Sequence, residues 1–248
     1  MIAGLLVVIA ISGFEVGKFL LNLYKSNEAE KVVSDIVHDE SLELKKEPEE
    51  KVPFSFNKDK WNKLHEMNND FVGWMAFDDE WISEPIVQGK DNEYYLTHYI
   101  DGTYSEAGTV FVDAQNTAGA DQNVTMYGHH VFYNDKEKLS PLLKLVNQEE
   151  FDKHNTFKIW YEDYVAEYEI TNVYKVSEED KFDFKQSNFY DDEDFQSYVD
   201  YINANNLVTT ENNLSRNSRF ITLQTCQTVG GEILFVVTCK EKTRTIYE

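Results

Sequence analysis

The chain has 248 residues, enough for one full hydrophobic core and an appendage, and 42% of them are hydrophobic and 14% aromatic, which excludes disorder of the whole. A formal charge of −22 excludes the usual kind of nucleic-acid partner, because the counterion release that drives such binding needs clustered Lys and Arg. The acidic surface instead favours solubility.

At the N-terminus, Met1 to Ser12 reads MIAGLLVVIAIS, and after Glu15 and Lys18 the apolar pattern resumes in FLLNLY up to Tyr24. Together these stretches are just long enough to span a bilayer. Lys18 and Lys25 lie on the C-terminal side of the run and no basic residue precedes it, so the usual positive-inside bias is absent or reversed and argues against a span. Length and the lack of a small-residue cleavage site outweigh this, and residues 1–25 are expected to form an uncleaved membrane anchor. Val32, Val33, Ile36 and Val37 then mark one face of a helix, which KKEPEEKVP at 45–53 ends with two prolines. Residues 26–52 thus read as a helical, charged linker, and 53–248 as the compact domain.

Within that domain a short helix carries Trp61, Leu64 and Met67, and short strands and turns follow in VGWMAF, PIVQG and GTVFVD. NVTMYGHHV at 123–131 is a strand running into a loop, and Ser140-Pro141 has the form of a helix start. Two more strand-like runs cover 156–161 and 164–176. The segment 189–206 is the best helix in the chain, with acidic residues in its first turn and Phe195, Tyr198, Val199 and Ile202 as a core stripe. The chain closes with a hairpin: Ile221 to Thr225, a Gly230-Gly231 turn, and Ile233 to Thr238. Many short strands with one late helix predict a mainly β fold with peripheral helices, a barrel or a sandwich.

The hairpin places Cys226 at a strand end, across from residue 234 or 235, and leaves Cys239 too far along its strand for a disulfide, so both thiols read as free. A strand end beside a loop suits a nucleophile, although a lone cysteine there also reads as a small buried hydrophobe. A nucleophilic thiol needs a base or cation nearby, since a free thiol is only a few per cent ionised at neutral pH. Of the six histidines, His38 and His65 fall on helices at or outside the domain edge, and His154 in a charged loop. His129 and His130 directly follow Tyr127-Gly128, where the glycine lets the chain leave its strand sharply. Adjacent side chains of extended chain point opposite ways, so one of the two faces Cys226. No third ligand stands at a zinc spacing, and the acidic runs at 177–180 and 191–194 lack the pattern of a calcium loop; no metal or cofactor is called for.

Taken in order, VGW at 72–74, PIVQGKDNEYYLTH at 85–98, GTVFVDAQN at 108–116, MYGHHV at 126–131 and TLQTC at 222–226 resemble the sortases, over roughly residues 55–240. The QGKDNEYYL run and the helix before the last strands look most like class B. The resemblance implies a closed β-barrel with N-terminal helices, anchored as a single-pass protein of the bacterial cell membrane with its catalytic domain outside. It implies a cysteine transpeptidase that cleaves a C-terminal sorting signal of surface proteins after a Thr and passes the acyl group to an amine of a cell-wall precursor. Cys226 would be the nucleophile and His129 the acid and base, with Thr225, Gln227 and Leu234 as substrate-contacting positions. Sortases of this type carry an arginine on the strand after the cysteine, in a pattern like Arg-Phe-Val-Val; this chain has Leu234-Phe235-Val236-Val237, and no Arg between Arg219 and Arg244. Two readings follow from that departure. Another donor, Gln227, Thr228 or a backbone amide, does the arginine's work in an active enzyme, or the chain is a degenerate sortase that binds sorting signals or assists a partner. A hydrolytic cysteine peptidase would use the same residues with water as acceptor.

Overall fold

The computed structural model describes residues 2–39, 56–117, 121–177, 179–211, 213–226 and 233–247, with side chains from residue 12 onward. Eight strands, β1 (Phe71–Ala76), β2 (Ser83–Val87), β3 (Val110–Val112), β4 (Asn123–Tyr127), β5 (Thr156–Trp160), β6 (Tyr164–Ser177), β7 (Phe220–Cys226) and β8 (Ile233–Ile246), close into one barrel in the order β1-β2-β3-β4-β7-β8-β6-β5. Closure removes the sheet edges that a sandwich would leave. Alternation along β7 and β8 sorts their residues between two sides. Ile221, Leu223, Phe235 and Val237 fill the barrel, while Phe220 and Val236 pack outside it against α4 (Asp192–Ala204).

The expected helix stripe Phe195, Tyr198, Val199 and Ile202 is buried in that outer layer, and Asp191 caps α4 by accepting from Asp194 N–H at 2.9 Å. The Ser140-Pro141 start opens a 3₁₀ helix, Ser140–Val146, rather than an α-helix, because Asn147 caps a new helix immediately afterwards, α3 (Gln148–Lys153). β8 runs eight residues past Thr238, since β6 pairs with it as far as Tyr164↔Ile246.

At the N-terminus, α1 (Ile2–Val37) is one continuous helix. Residues 26–37, expected in a linker, bury Ala29, Val33 and Val37 in one cluster with Trp61 and Leu64 of α2 (Lys58–Met67) and with Phe71 and Trp74 of β1. The charged stretch 40–55 lies outside the described residues. No helix among the described residues is long and apolar enough to cross a membrane; the side chains of residues 1–11, on which the expected anchor over 1–25 rests, are outside that set.

One glycine fixes the loop that later forms a wall of the site. Gly108 has φ of 60°, and a Cβ on it would stand 2.2 Å from the Tyr95 carbonyl oxygen and 2.8 Å from that of Leu96. Thr109 N–H donates to the same Tyr95 oxygen at 3.0 Å, so the backbones there cannot separate cheaply. Gly108→Ala is expected to destabilise the fold by about 2–3 kcal/mol, as backbone strain plus a backbone clash. Urea denaturation checks this, and a loss under ~0.5 kcal/mol would mean the 94–108 loop relaxes freely.

Candidate active site

β4 and β7 lie side by side and parallel, with Asn123↔Phe220 at one end and Tyr127↔Gln224 at the other. Both strands therefore finish at the same rim of the barrel. Gly128 N–H donates to Gln224 O at 3.1 Å, extending the ladder by one more bond before the chain turns away. His129 follows directly, and Cys226 lies two residues beyond Gln224 on the same face of β7. The two side chains line one cavity of about 300 Å³. Its other walls are Phe111, Tyr127 and Gly128 on the β3–β4 side, Gln224 on β7, and Asn92 and Leu96 from the loop that Gly108 holds.

Hydrogen bonds fix these walls. The His129 Nε2–H donates to Leu96 O at 2.8 Å; a carbonyl can only accept, so Nε2 carries the proton and Nδ1 is the exchangeable position of the neutral ring. The Tyr127 hydroxyl donates to Asp113 Oδ2 at 2.5 Å, and burial with that carboxylate raises the phenol far above its ordinary range, so it stays a neutral donor. Asn92 accepts from Ala114 N–H at 2.8 Å through Oδ1, which leaves its amide nitrogen as the end available to the cavity.

Cys226 is half-buried, and burial pushes its thiol pKa up, offset in part by a hydrogen bond from the Gln224 side chain, which favours the thiolate. His130 points elsewhere: burial lowers its pKa, and a hydrogen bond with the Cys226 backbone partly offsets this. The two adjacent imidazoles thus take different places, His129 at the cavity and His130 behind the cysteine.

Of the other positions singled out in the sequence, Thr225 is fully buried, and alternation between Gln224 and Cys226 turns it to the barrel interior rather than to the cavity. Gln227 and Thr228 lie outside the described residues. Leu234 is paired directly with Cys226 across β7 and β8, half-buried against the cluster of Tyr174, Phe182 and Val236. Among the described residues, no Lys or Arg lines the cavity. Arg219 precedes β7 at its opposite end, beside Arg244 and Glu241 around a separate small cleft. Cys239 is fully buried opposite Ile221, so the two thiols stay apart. The sequence reading passed over Gln224 and Asn92. Counting back two from Cys226 finds the first; nothing local marks the second.

Among known proteins, no family model matches the chain. Sortase B of Listeria monocytogenes is 32% identical over 174 residues, 69% of this chain and 68% of the relative. Sortase B of Staphylococcus aureus is 25% identical over 173 residues, 69% of each. Among solved structures, the Staphylococcus aureus sortase B–substrate complex superposes with a TM-score of 0.72 at 22% identity, covering 88% of this chain and 97% of that one. Clostridium perfringens sortase B gives 0.66 at 27% identity, covering 74% and 100%. The barrel, the parallel meeting of β4 and β7 at one cavity, and the extent of the likeness to sortase B lead to one conclusion: the chain belongs to the sortase family of cysteine transpeptidases and is most similar to class B.

Proposed function

We propose that the protein cleaves a C-terminal sorting signal after Thr and transfers the Thr acyl group to an amine of a cell-wall precursor. The single observation that carries the proposal is the shared cavity of Cys226 and His129, about 300 Å³ and lined by neutral hydrogen-bonding groups. The Cys226 thiol gives its proton to His129 and the thiolate adds to the Thr carbonyl carbon; the peptide C–N bond breaks as His129 passes that proton to the leaving amine. The acyl group is then held as a thioester. An incoming amine attacks that carbonyl, gives its proton to His129 and expels the thiolate, which takes the proton back, so the enzyme returns to its starting state. Support for substrate binding by this fold comes from Staphylococcus aureus sortase B, which has been solved as a substrate complex.

Among the described residues, the cavity holds no equivalent of the family's guanidinium. Asn92 and Gln224 are the side-chain amides that line it, and they are proposed to donate to the oxyanion in its place. Neutral amides give weaker stabilisation than a cation, and loss of one oxyanion donor costs ~10²–10³ in rate, so turnover is expected to be slow. A second reading rests on Leu234 packed where it faces Cys226: a sortase that binds sorting signals, or assists another sortase, with little turnover. Residues 1–25 are further proposed to anchor the protein in the bacterial cell membrane with the barrel outside, supported by the continuous helix and its exposed Phe14, Val16, Leu20 and Leu21. Full-length protein should then stay with membranes through alkaline extraction while a 26–248 chain is released; release of both would sink the anchor.

Mass spectrometry after incubation with a panel of sorting-signal peptides decides between the readings. A thioester adduct lost in Cys226→Ala, and transfer to an added amine, are expected; hydrolysis alone indicates a peptidase, and binding with neither adduct nor cleavage indicates the degenerate form. In the active case Leu234→Arg should raise kcat by about tenfold or more, and an unchanged kcat would mean that a cation opposite Cys226 brings nothing to this site.

The protonation of Cys226 can be read separately. Because burial raises its pKa, alkylation by iodoacetamide should climb with pH to a midpoint above that of an ordinary thiol. Gln224→Leu removes the bond that favours the thiolate and should move the midpoint higher still. A midpoint at or below the ordinary thiol value in the parent protein would contradict this account.

A further inference from the structure

Behind the cavity lies a buried ionic cluster that the reaction does not use. Lys138 is 2% exposed, and its Nζ lies 2.9 Å from Glu30 Oε1 on α1, 3.4 Å from Glu84 Oε2 on β2, and 4.7 Å from the centre of the Tyr99 ring. Burial alone would lower its pKa, but Glu84, Tyr99 and Glu30 outweigh that and hold the ammonium charged. Its backbone is held as firmly: φ is 54°, in the left-handed region, and its N–H donates to Glu84 Oε1 at 3.0 Å.

The segment around Lys138 braces the catalytic loop at three successive residues. Lys138 forms an isolated antiparallel bridge with His130. Leu139 packs on Gly128 so closely that a Cβ there would lie 2.6 Å from Leu139 Cγ. Ser140 Oγ accepts from Val131 N–H at 2.7 Å. Residues 128–131 therefore lean on 138–140, and Lys138 ties that support to α1, while His130 reaches the Cys226 backbone on the other side.

We propose that Glu30 and Lys138 form a clamp through which docked α1 sets the geometry of the Cys226–His129 pair, making Lys138 a positioning residue and α1 a part of the active site. The clamp is a single charge-assisted bond between the helix and the loop, in a place where a buried ammonium cannot exchange its partner for water. Losing Glu30 leaves Lys138 with Glu84 alone, at the longer distance, and frees the loop to shift. Small displacements of a reacting group are costly: about 1 Å can lower a rate by ~10²-fold.

The inference rests on the transpeptidase reading for its kinetic arm, but alkylation of Cys226 tests it without that reading; Cys239 is fully buried and does not contribute. In the full-length protein, Glu30→Ala should lower kcat by about tenfold with KM within about twofold, and shift the pH midpoint of Cys226 alkylation. Glu28→Ala, exposed on the same helix, should do neither. Lys138→Met should reproduce the loss, and adding Glu30→Ala to it should cause little more, because both act through one contact. Unchanged kcat and alkylation in Glu30→Ala, or losses that simply multiply in the double variant, overturn the clamp. Should Lys138→Met fail to fold, Glu30→Ala against Glu28→Ala still decides it. A parent protein inactive on every peptide, yet with a Glu30-sensitive alkylation profile, would refute the proposed function and support the clamp.

Discussion

The site depends on the parallel pairing of β4 with β7. Parallel neighbours end at the same rim, so the register Tyr127↔Gln224 puts the residues that follow both strands beside each other. An antiparallel arrangement of the same two segments would send His129 and Cys226 to opposite ends of the barrel. The remaining features refine that placement. Gly128 lets the chain turn without a Cβ where Leu139 stands, and Leu96 takes the Nε2 proton of His129.

Around this scaffold the site is electrically quiet. The cavity has no lysine or arginine among the described residues, its phenol is held neutral by burial and Asp113, and its thiol is biased toward the protonated form. Buried ionic strength sits instead one layer back, at Lys138 with Glu30 and Glu84. Charge is thus concentrated behind the 128–131 loop, while the cavity itself is lined by neutral hydrogen-bonding groups. Such a division lets the loop be rigid without placing an uncompensated charge beside the thiol.

Much of this was legible in the sequence, and for identifiable reasons. Runs of β-forming residues on either side of Gly230-Gly231 marked β7 and the start of β8, the acidic first turn and apolar stripe marked α4, and the ordered motifs linked MYGHH to TLQTC. Closure into a barrel needed the resemblance, because alternation alone leaves barrel and sandwich open. Side-chain direction was legible only in part: alternation sent Thr225 inward and Gln224 outward, a parity available from Cys226. The burial of Val33 and Val37 on the barrel was masked by their neighbours, since an amphipathic stripe followed by a charged stretch reads equally as a free helix. Asn92 and Lys138 could not have been found at all, because their roles come from contacts with Ala114, Glu30 and Glu84, distant in the chain.

The parallel β4–β7 contact also sets when the candidate site is assembled. Its partners come from far-separated parts of the chain, so the entropy of closing a long loop must be overcome before the pairing gives anything back. The neighbouring β7–β8 hairpin, by contrast, is local and can form early. A nascent chain can therefore carry Cys226 on a formed β7–β8 pair while His129 is still elsewhere. The thiol and the imidazole come to one cavity only with barrel closure.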